Sequence, residues 1–183
     1  MAETRKRKPR SILTKDDLYL FNEGTHNRLY QRLGAHPRTI AGETGTNFAV
    51  WAPNAERVSV IGDFNDWNAD ATPLGALGQS GIWEGFVPGL GPGTRYKYRI
   101  HSRYNGFQTD KADPFGFMHE TPPATASVIW DLSYDWNDAD WMSHRGEHNN
   151  FSQAASIYEA HIGSWRRRDG TSLGYRDMAL PLA

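Results

Sequence analysis

Between residue 45 and about residue 130, this chain consists of short alternating or β-branched runs, each closed by Gly, Pro, Asn or Asp. That stretch constrains the fold more than any other feature. A period of two sends successive side chains to opposite faces of a strand, and closely spaced turn residues fold the chain back on itself. The pattern is clearest in Arg95-Tyr96-Lys97-Tyr98-Arg99-Ile100, where Tyr96, Tyr98 and Ile100 share one face and Arg95, Lys97 and Arg99 the other. One face is expected in a core and the other in water. Strands are predicted at 46–51, 57–61, 82–87, 94–101 and 126–129, with a turn-rich link at 88–93 and a loop at 71–81. Together they predict an all-β architecture, an antiparallel sandwich. Trp51 and Trp83, each inside a strand run, are expected in its core.

The flanks read differently. Residues 14–33 carry Leu18, Phe21, Leu29, Tyr30 and Leu33, and Asp16 and Asp17 stand where a first helical turn favours carboxylates. A short helix, a break at Gly24 and a second helix to about Leu33 are predicted, ended by Gly34-Ala35-His36-Pro37. The expected organisation is a disordered basic tail (1–13), a helical linker segment (14–40), the sandwich (41–133) and an irregular polar linker (134–155). Residues 156–162, reading SIYEAHI, predict a new strand, and 173–179 the start of a helix. Residues 156–183 are therefore expected to be the truncated start of a second domain.

Charge and composition narrow the partners. The formal net charge is -1 and cysteine is absent. No global field draws the chain to nucleic acid or anionic lipid, and disulfides, thiolate metal sites and a cysteine nucleophile are excluded. A neutral partner and a cytoplasmic location are expected. The basic run at 1–10 lacks a following apolar h-region and is read as a solvated tail. No apolar run is long enough to span a membrane. His144 and His148 are four apart but lack a third ligand, so no metal or other cofactor is expected. Asn150-Phe151-Ser152 matches a glycosylation acceptor and carries no weight without an export signal.

Five motifs in order carry a resemblance: LYLFNEGTHNRLYQRLGAHP (18–37), FAVWAPNAERVSVIGDFNDWN (48–68), GIWEGFVPGLGPGTRYKYRI (81–100), KADPFGFMHETPPATASVIWD (111–131) and SIYEAHIGSWRRR (156–168). The chain resembles the amino-terminal part of bacterial glycogen (1,4-α-glucan) branching enzymes of the α-amylase superfamily. The middle motifs are similar to the immunoglobulin-like, family 48 starch-binding-type module of those enzymes, and SIYEAHIGSWRRR to the first strand of their (β/α)8 barrel. The resemblance implies transfer of α-1,4-glucan segments to form α-1,6 branches by a retaining double displacement, which needs two carboxylates about 5 Å apart. In the family those carboxylates come from later barrel strands. A barrel takes about 250 residues, so no catalytic residue is expected here, and activity would need the remainder of a barrel. Glu159, beside His161, is expected to be a buried structural residue. A stand-alone glycogen-binding module is the alternative reading.

Glucan is uncharged, and proteins hold it by laying aromatic rings on sugar faces and aiming polar groups at hydroxyls. Trp67, between Asp66 and Asn68 in the turn GDFNDWN, has the required composition, and Lys97 lies on a polar strand face. The resemblance implies that Trp67, Lys97 and, less closely matched, Phe107 form a sugar platform for glycogen or malto-oligosaccharides, with Asn68 beside it. Phe107 departs from the family, whose sensing modules carry tryptophan there. Trp67 is equally read as a staple holding its turn to the sandwich, and Lys97 as a solvated strand residue. The sandwich either binds glucan or only braces a barrel.

Overall fold

Helix α1 (Lys15–Glu23) starts where the Thr14 hydroxyl accepts the Asp17 N–H while the Asp17 carboxylate accepts the Thr14 N–H. This reciprocal cap satisfies two otherwise orphaned donors. Gly24, at φ +74°, closes the helix in the left-handed conformation, at the break the sequence predicts. The expected second helix shrinks to one 3-10 turn at Leu29–Gln31. The computed structural model describes residues 11–148, 152 and 154–182, and the chain divides after Ser133 into two units.

Strand β1 (Gly34–Ile40) follows where the sequence reading ends a helix. Pro37 explains the difference. Proline stops a helix, yet it also suits a sheet edge, where its missing N–H is not needed. β1 is such an edge, pairing among the described residues only with β2 (Glu43–Trp51). The remaining strands of the first unit are β3 (Ala55–Gly62), β4 (Gly75–Ala76), β5 (Ile82–Pro88), β6 (Arg95–Ser102), β7 (Gln108–Lys111), β8 (Met118–His119) and β9 (Ser127–Val128). They form two antiparallel sheets, β1-β2-β5-β4 and β3-β6-β9-β8, with β7 also paired to β6. Phe48, Val50, Val58, Val60, Tyr96, Tyr98 and Ile129 fill the space between them. The expected sandwich is present.

The second face of β2 is also covered. Thr46 to Val50 are all buried, as expected of a strand packed on both sides. Ala49 and Ile82 join Leu13 and Leu33 in a separate cluster, against which Ile12, Leu18, Phe21 and Leu29 pack. Trp51 belongs to this outer face and is not in the core: it is 54% exposed and meets Phe21 edge-on at 6.0 Å. Trp83 packs partly buried against the inner core and donates to the Ala52 carbonyl at 3.1 Å.

The second unit departs further from expectation. Helix α2 (Ala139–His148) replaces the expected irregular linker. Residues 154–161 form no strand, and a four-residue helix α3 (Ile162–Trp165) follows. An extended run with no neighbour leaves its backbone groups to water; no partner strand for it occurs among the described residues. A small hairpin, β10 (Arg167–Arg168) and β11 (Thr171–Ser172), precedes helix α4 (Tyr175–Leu182). The basic run 1–10, Asn150 and Phe151 of the glycosylation match, and the side chain of His148 lie outside the described residues. Among the described residues no helix is long and apolar enough to cross a membrane.

Candidate carbohydrate-binding surface

The turn after β3 is held from inside by Asn65 and Phe64, in addition to the bonds its tryptophan makes. Asn65 accepts the Gly62 N–H at 3.0 Å and donates to the Val60 carbonyl and the Thr72 hydroxyl, each at 3.0 Å. Phe64 packs partly buried against the core. With the turn secured from inside, Trp67 remains 38% exposed. Asp66 and Trp67 have φ values of +52° and +57°. Asp tolerates this left-handed region, whereas a bulky side chain rarely adopts it, and such strain concentrates at functional positions. The Trp67 N–H donates to the Gly62 carbonyl at 2.9 Å, which fixes the residue despite its conformation.

The indole leads to β6. Trp67 Nε1 donates to Asp63 Oδ1 at 3.1 Å, and Arg95 Nε donates to Asp63 Oδ2 at 2.7 Å. Arg95 Nη1 reaches Glu120 Oε1 at 3.2 Å, and Glu120 Oε2 accepts the Ala126 N–H at 2.9 Å. Asp63 and then Glu120 hold the Arg95 guanidinium still more firmly in its charged form. The Ala126 N–H and then Arg95 lower the Glu120 carboxyl below its usual range. Two residues along the same strand face, Lys97 Nζ donates to Thr125 Oγ1 at 2.7 Å. The ammonium keeps further donors for an incoming hydroxyl. Trp67 and Lys97 thus belong to one connected surface, built from the turn after β3, the outward side of β6 and the loop before β9. Asn68 lies at its margin, with its side-chain oxygen accepting the Asp70 N–H at 2.9 Å. Asp63, Arg95, Glu120 and Thr125 escape sequence reasoning. The Arg95–Lys97 alternation was the available signal, but no pattern tied it to loops 32 and 25 residues away.

Phe107 is elsewhere. Gln108 stands opposite His101 and the Ser102 N–H bonds to the Phe107 carbonyl. Phe107 therefore sits level with Ser102, five residues along β6 from Lys97, about 16 Å at strand rise. It is 61% exposed, beside Tyr104 across an Asn105-Gly106 turn. The structure does not bring Phe107 together with Trp67 and Lys97.

On the inward face of β6, Asp113 is buried and its Oδ2 accepts the Tyr96 and Tyr98 hydroxyls at 2.7 and 3.0 Å. Its Oδ1 accepts the Phe115 N–H at 2.8 Å. Burial pushes the Asp113 carboxyl above its usual range, while these donors pull the other way. Burial also raises both phenols. In the second unit, Glu159 is exposed, contrary to the expected buried role, and His161 Nδ1 contacts the Ser164 hydroxyl at 2.8 Å. His144 contacts the Asp140 carbonyl at 3.0 Å. No group of three or more His, Asp or Glu capable of holding a metal occurs among the described residues.

Residues 32–116 match the family described as carbohydrate-binding module 48, the isoamylase N-terminal domain. Over 169 residues the chain is 54% identical to the 1,4-alpha-glucan branching enzyme of Albidiferax ferrireducens, covering 91% of this chain and 26% of that one. It is 51% identical over 170 residues to the corresponding enzyme of Rubrobacter xylanophilus, covering 92% and 23%. The chain thus spans about a quarter of the length of the curated relatives it matches. Among solved structures, apo pullulanase from Klebsiella pneumoniae is similar at 24% identity with a TM-score of 0.47, over 64% of this chain and 12% of that one.

Proposed function

Residues 32–116 are a carbohydrate-binding module of family 48 within a chain homologous to part of the bacterial 1,4-alpha-glucan branching enzymes, and from that premise we propose that its sandwich presents Trp67 and Lys97 to α-1,4-glucan. The observation that carries this is the exposed Trp67 ring, held by Asp63 in a left-handed turn that Asn65 and Phe64 already secure. Glycogen and malto-oligosaccharides fit the surface because stacking on a sugar face requires an exposed aromatic, and Lys97 and Asn68 offer donors to sugar hydroxyls. Phe107 contributes to no common platform in this reading.

In the whole protein, the proposed activity is transfer of α-1,4-glucan segments to 6-hydroxyls in glycogen formation. The chemistry is assigned to carboxylates on later strands of a barrel, with the remainder of that barrel as partner. The sandwich would hold the polymer near that site.

Titration calorimetry with maltoheptaose tests the reading. The parent should bind, Trp67→Ala should weaken binding by about tenfold or more, a loss of roughly 1.4 kcal/mol, and Lys97→Ala should weaken it less. Phe107→Ala should match the parent. No binding by the parent at millimolar sugar would sink the proposal, and unchanged binding by Trp67→Ala would move its centre elsewhere.

A further inference from the structure

We propose that Arg95 is the positioning residue of this surface, a clamp that fixes the Trp67 ring and the Thr125 loop at the spacing glucan requires without itself touching sugar. The inference rests on the glucan-binding reading above. Its observation is that one guanidinium joins two carboxylates from different loops, each committed to a second donor. Asp63 takes Arg95 on one oxygen and the Trp67 indole N–H on the other. Glu120 takes Arg95 on one oxygen and the Ala126 backbone N–H on the other. A chain of hydrogen bonds therefore runs from the indole through Asp63, Arg95 and Glu120 to the backbone one residue past Thr125, whose hydroxyl meets Lys97.

The choice of residue follows from this geometry. A planar guanidinium presents several donors in a fixed fork, whereas an ammonium concentrates its donors at one point. From β6, only the fork serves both loops at once. Arg95 and Asp63 are half exposed, with side chains 51% and 44% accessible, so the pairing adds little to folding. What it supplies is preorganisation: the ring and the hydroxyl need not be ordered when sugar arrives. The Asp63 carboxylate orients the indole by its ring N–H, at the edge of the ring and not on a face. Arg95 is thus distinct from Lys97, which lies two residues on and offers its donors directly.

The test uses the full chain and maltoheptaose as probe, with the Trp67 indole N–H resonance, assigned by its absence in Trp67→Phe, as an independent readout. Arg95→Met keeps the aliphatic stem and removes the fork. It should weaken maltoheptaose binding by roughly fivefold, shift the Trp67 indole resonance and speed its exchange with solvent, with the unfolding midpoint near the parent's. Arg95→Lys should recover only part of the affinity. Glu120→Gln, which disturbs the Thr125 side of the clamp alone, should weaken binding while leaving the indole resonance near its parental position. Should Arg95→Met fail to fold, Glu120→Gln decides the matter: parental affinity in that variant overturns the clamp. Parental affinity in Arg95→Met, or an indole resonance that does not move, also overturns it. A parent that does not bind maltoheptaose removes the glucan reading first, and the inference falls with it for that separate reason.

Discussion

Strand β6 carries an aspartate-centred hydrogen-bond group on each of its faces, and the two differ mainly in access to water. Inward, Asp113 is 1% exposed and joins the Tyr96 and Tyr98 hydroxyls. Outward, Asp63, with 44% of its side chain accessible, joins the Trp67 indole and Arg95. Each carboxylate accepts two side-chain donors. In the buried group, removing the acceptor strands two phenols that no solvent can reach, so the geometry bears on stability. In the exposed group, water replaces whatever is lost, so the same geometry bears on where an aromatic ring points. A hydrogen-bond list alone would rank the two alike; burial assigns one to folding and leaves the other free for the binding role proposed above.

Four measurements press on that contrast. Asp113→Ala should cost about 3 to 5 kcal/mol of unfolding free energy in urea, because it strands buried polar groups; a loss near that of a surface substitution would erase the distinction. Tyr98→Phe removes one donor and leaves the carboxylate with Tyr96 and the Phe115 N–H, so a loss of roughly 1 to 2 kcal/mol is expected. The third measurement is pH-dependent. Burial raises the folded Asp113 carboxyl above its unfolded value, so the folded state binds the proton more readily. Its stability contribution is full below the unfolded value of 3.8 and declines as pH rises through the folded one. The stability difference between parent and Asp113→Asn should therefore shrink from pH 3.5 toward neutrality. Asp17 runs the other way. Burial raises its carboxyl, but the Thr14 N–H, His26, the Thr14 hydroxyl and Arg32 outweigh that and hold it far below the usual range. Its contribution is present above 3.8 and is lost only as pH falls through that depressed value. The smallest effect is on the exposed face: Asp63→Asn should change stability by no more than about 0.5 kcal/mol, read from the same urea titration, and a larger change would make the outer group structural.

The division of β6 into two faces was legible in the sequence, from the alternation of Tyr96, Tyr98 and Ile100 against Arg95, Lys97 and Arg99, but the aspartate at the centre of the inward group, 17 and 15 residues from its tyrosines, was not. The sandwich and α1 were legible for similar local reasons: Asp16 and Asp17 stand in the helix's first turn, and Gly24 closes it. The rest depended on partners distant in sequence. Pro37 reads as a stop until β2 is seen beside it. Trp51 reads as core because its strand is apolar, yet it lies on the outer face. Phe107 resembles a platform residue in its motif, but the reach of the β6–β7 hairpin carries it away from Lys97. The clamp around Arg95 spans three separate segments, a juxtaposition that no local pattern reports.

The cover on the outer side of β2 has a practical meaning for where this unit can be cut. The family match begins at residue 32, but Leu13, Ile12, Leu18, Phe21 and Leu29 precede that boundary and seal Ala49 and Ile82. The Ile12 N–H also donates to the buried Glu84 at 2.8 Å, on the carboxylate oxygen that Asn47 reaches at 3.1 Å. A piece excised at residue 32 would expose an apolar sheet face and leave Glu84 with one donor fewer, a surface suited to aggregation. The segment that folds here is longer than the segment recognised by kinship, and a piece carrying the intact sandwich should begin no later than residue 11.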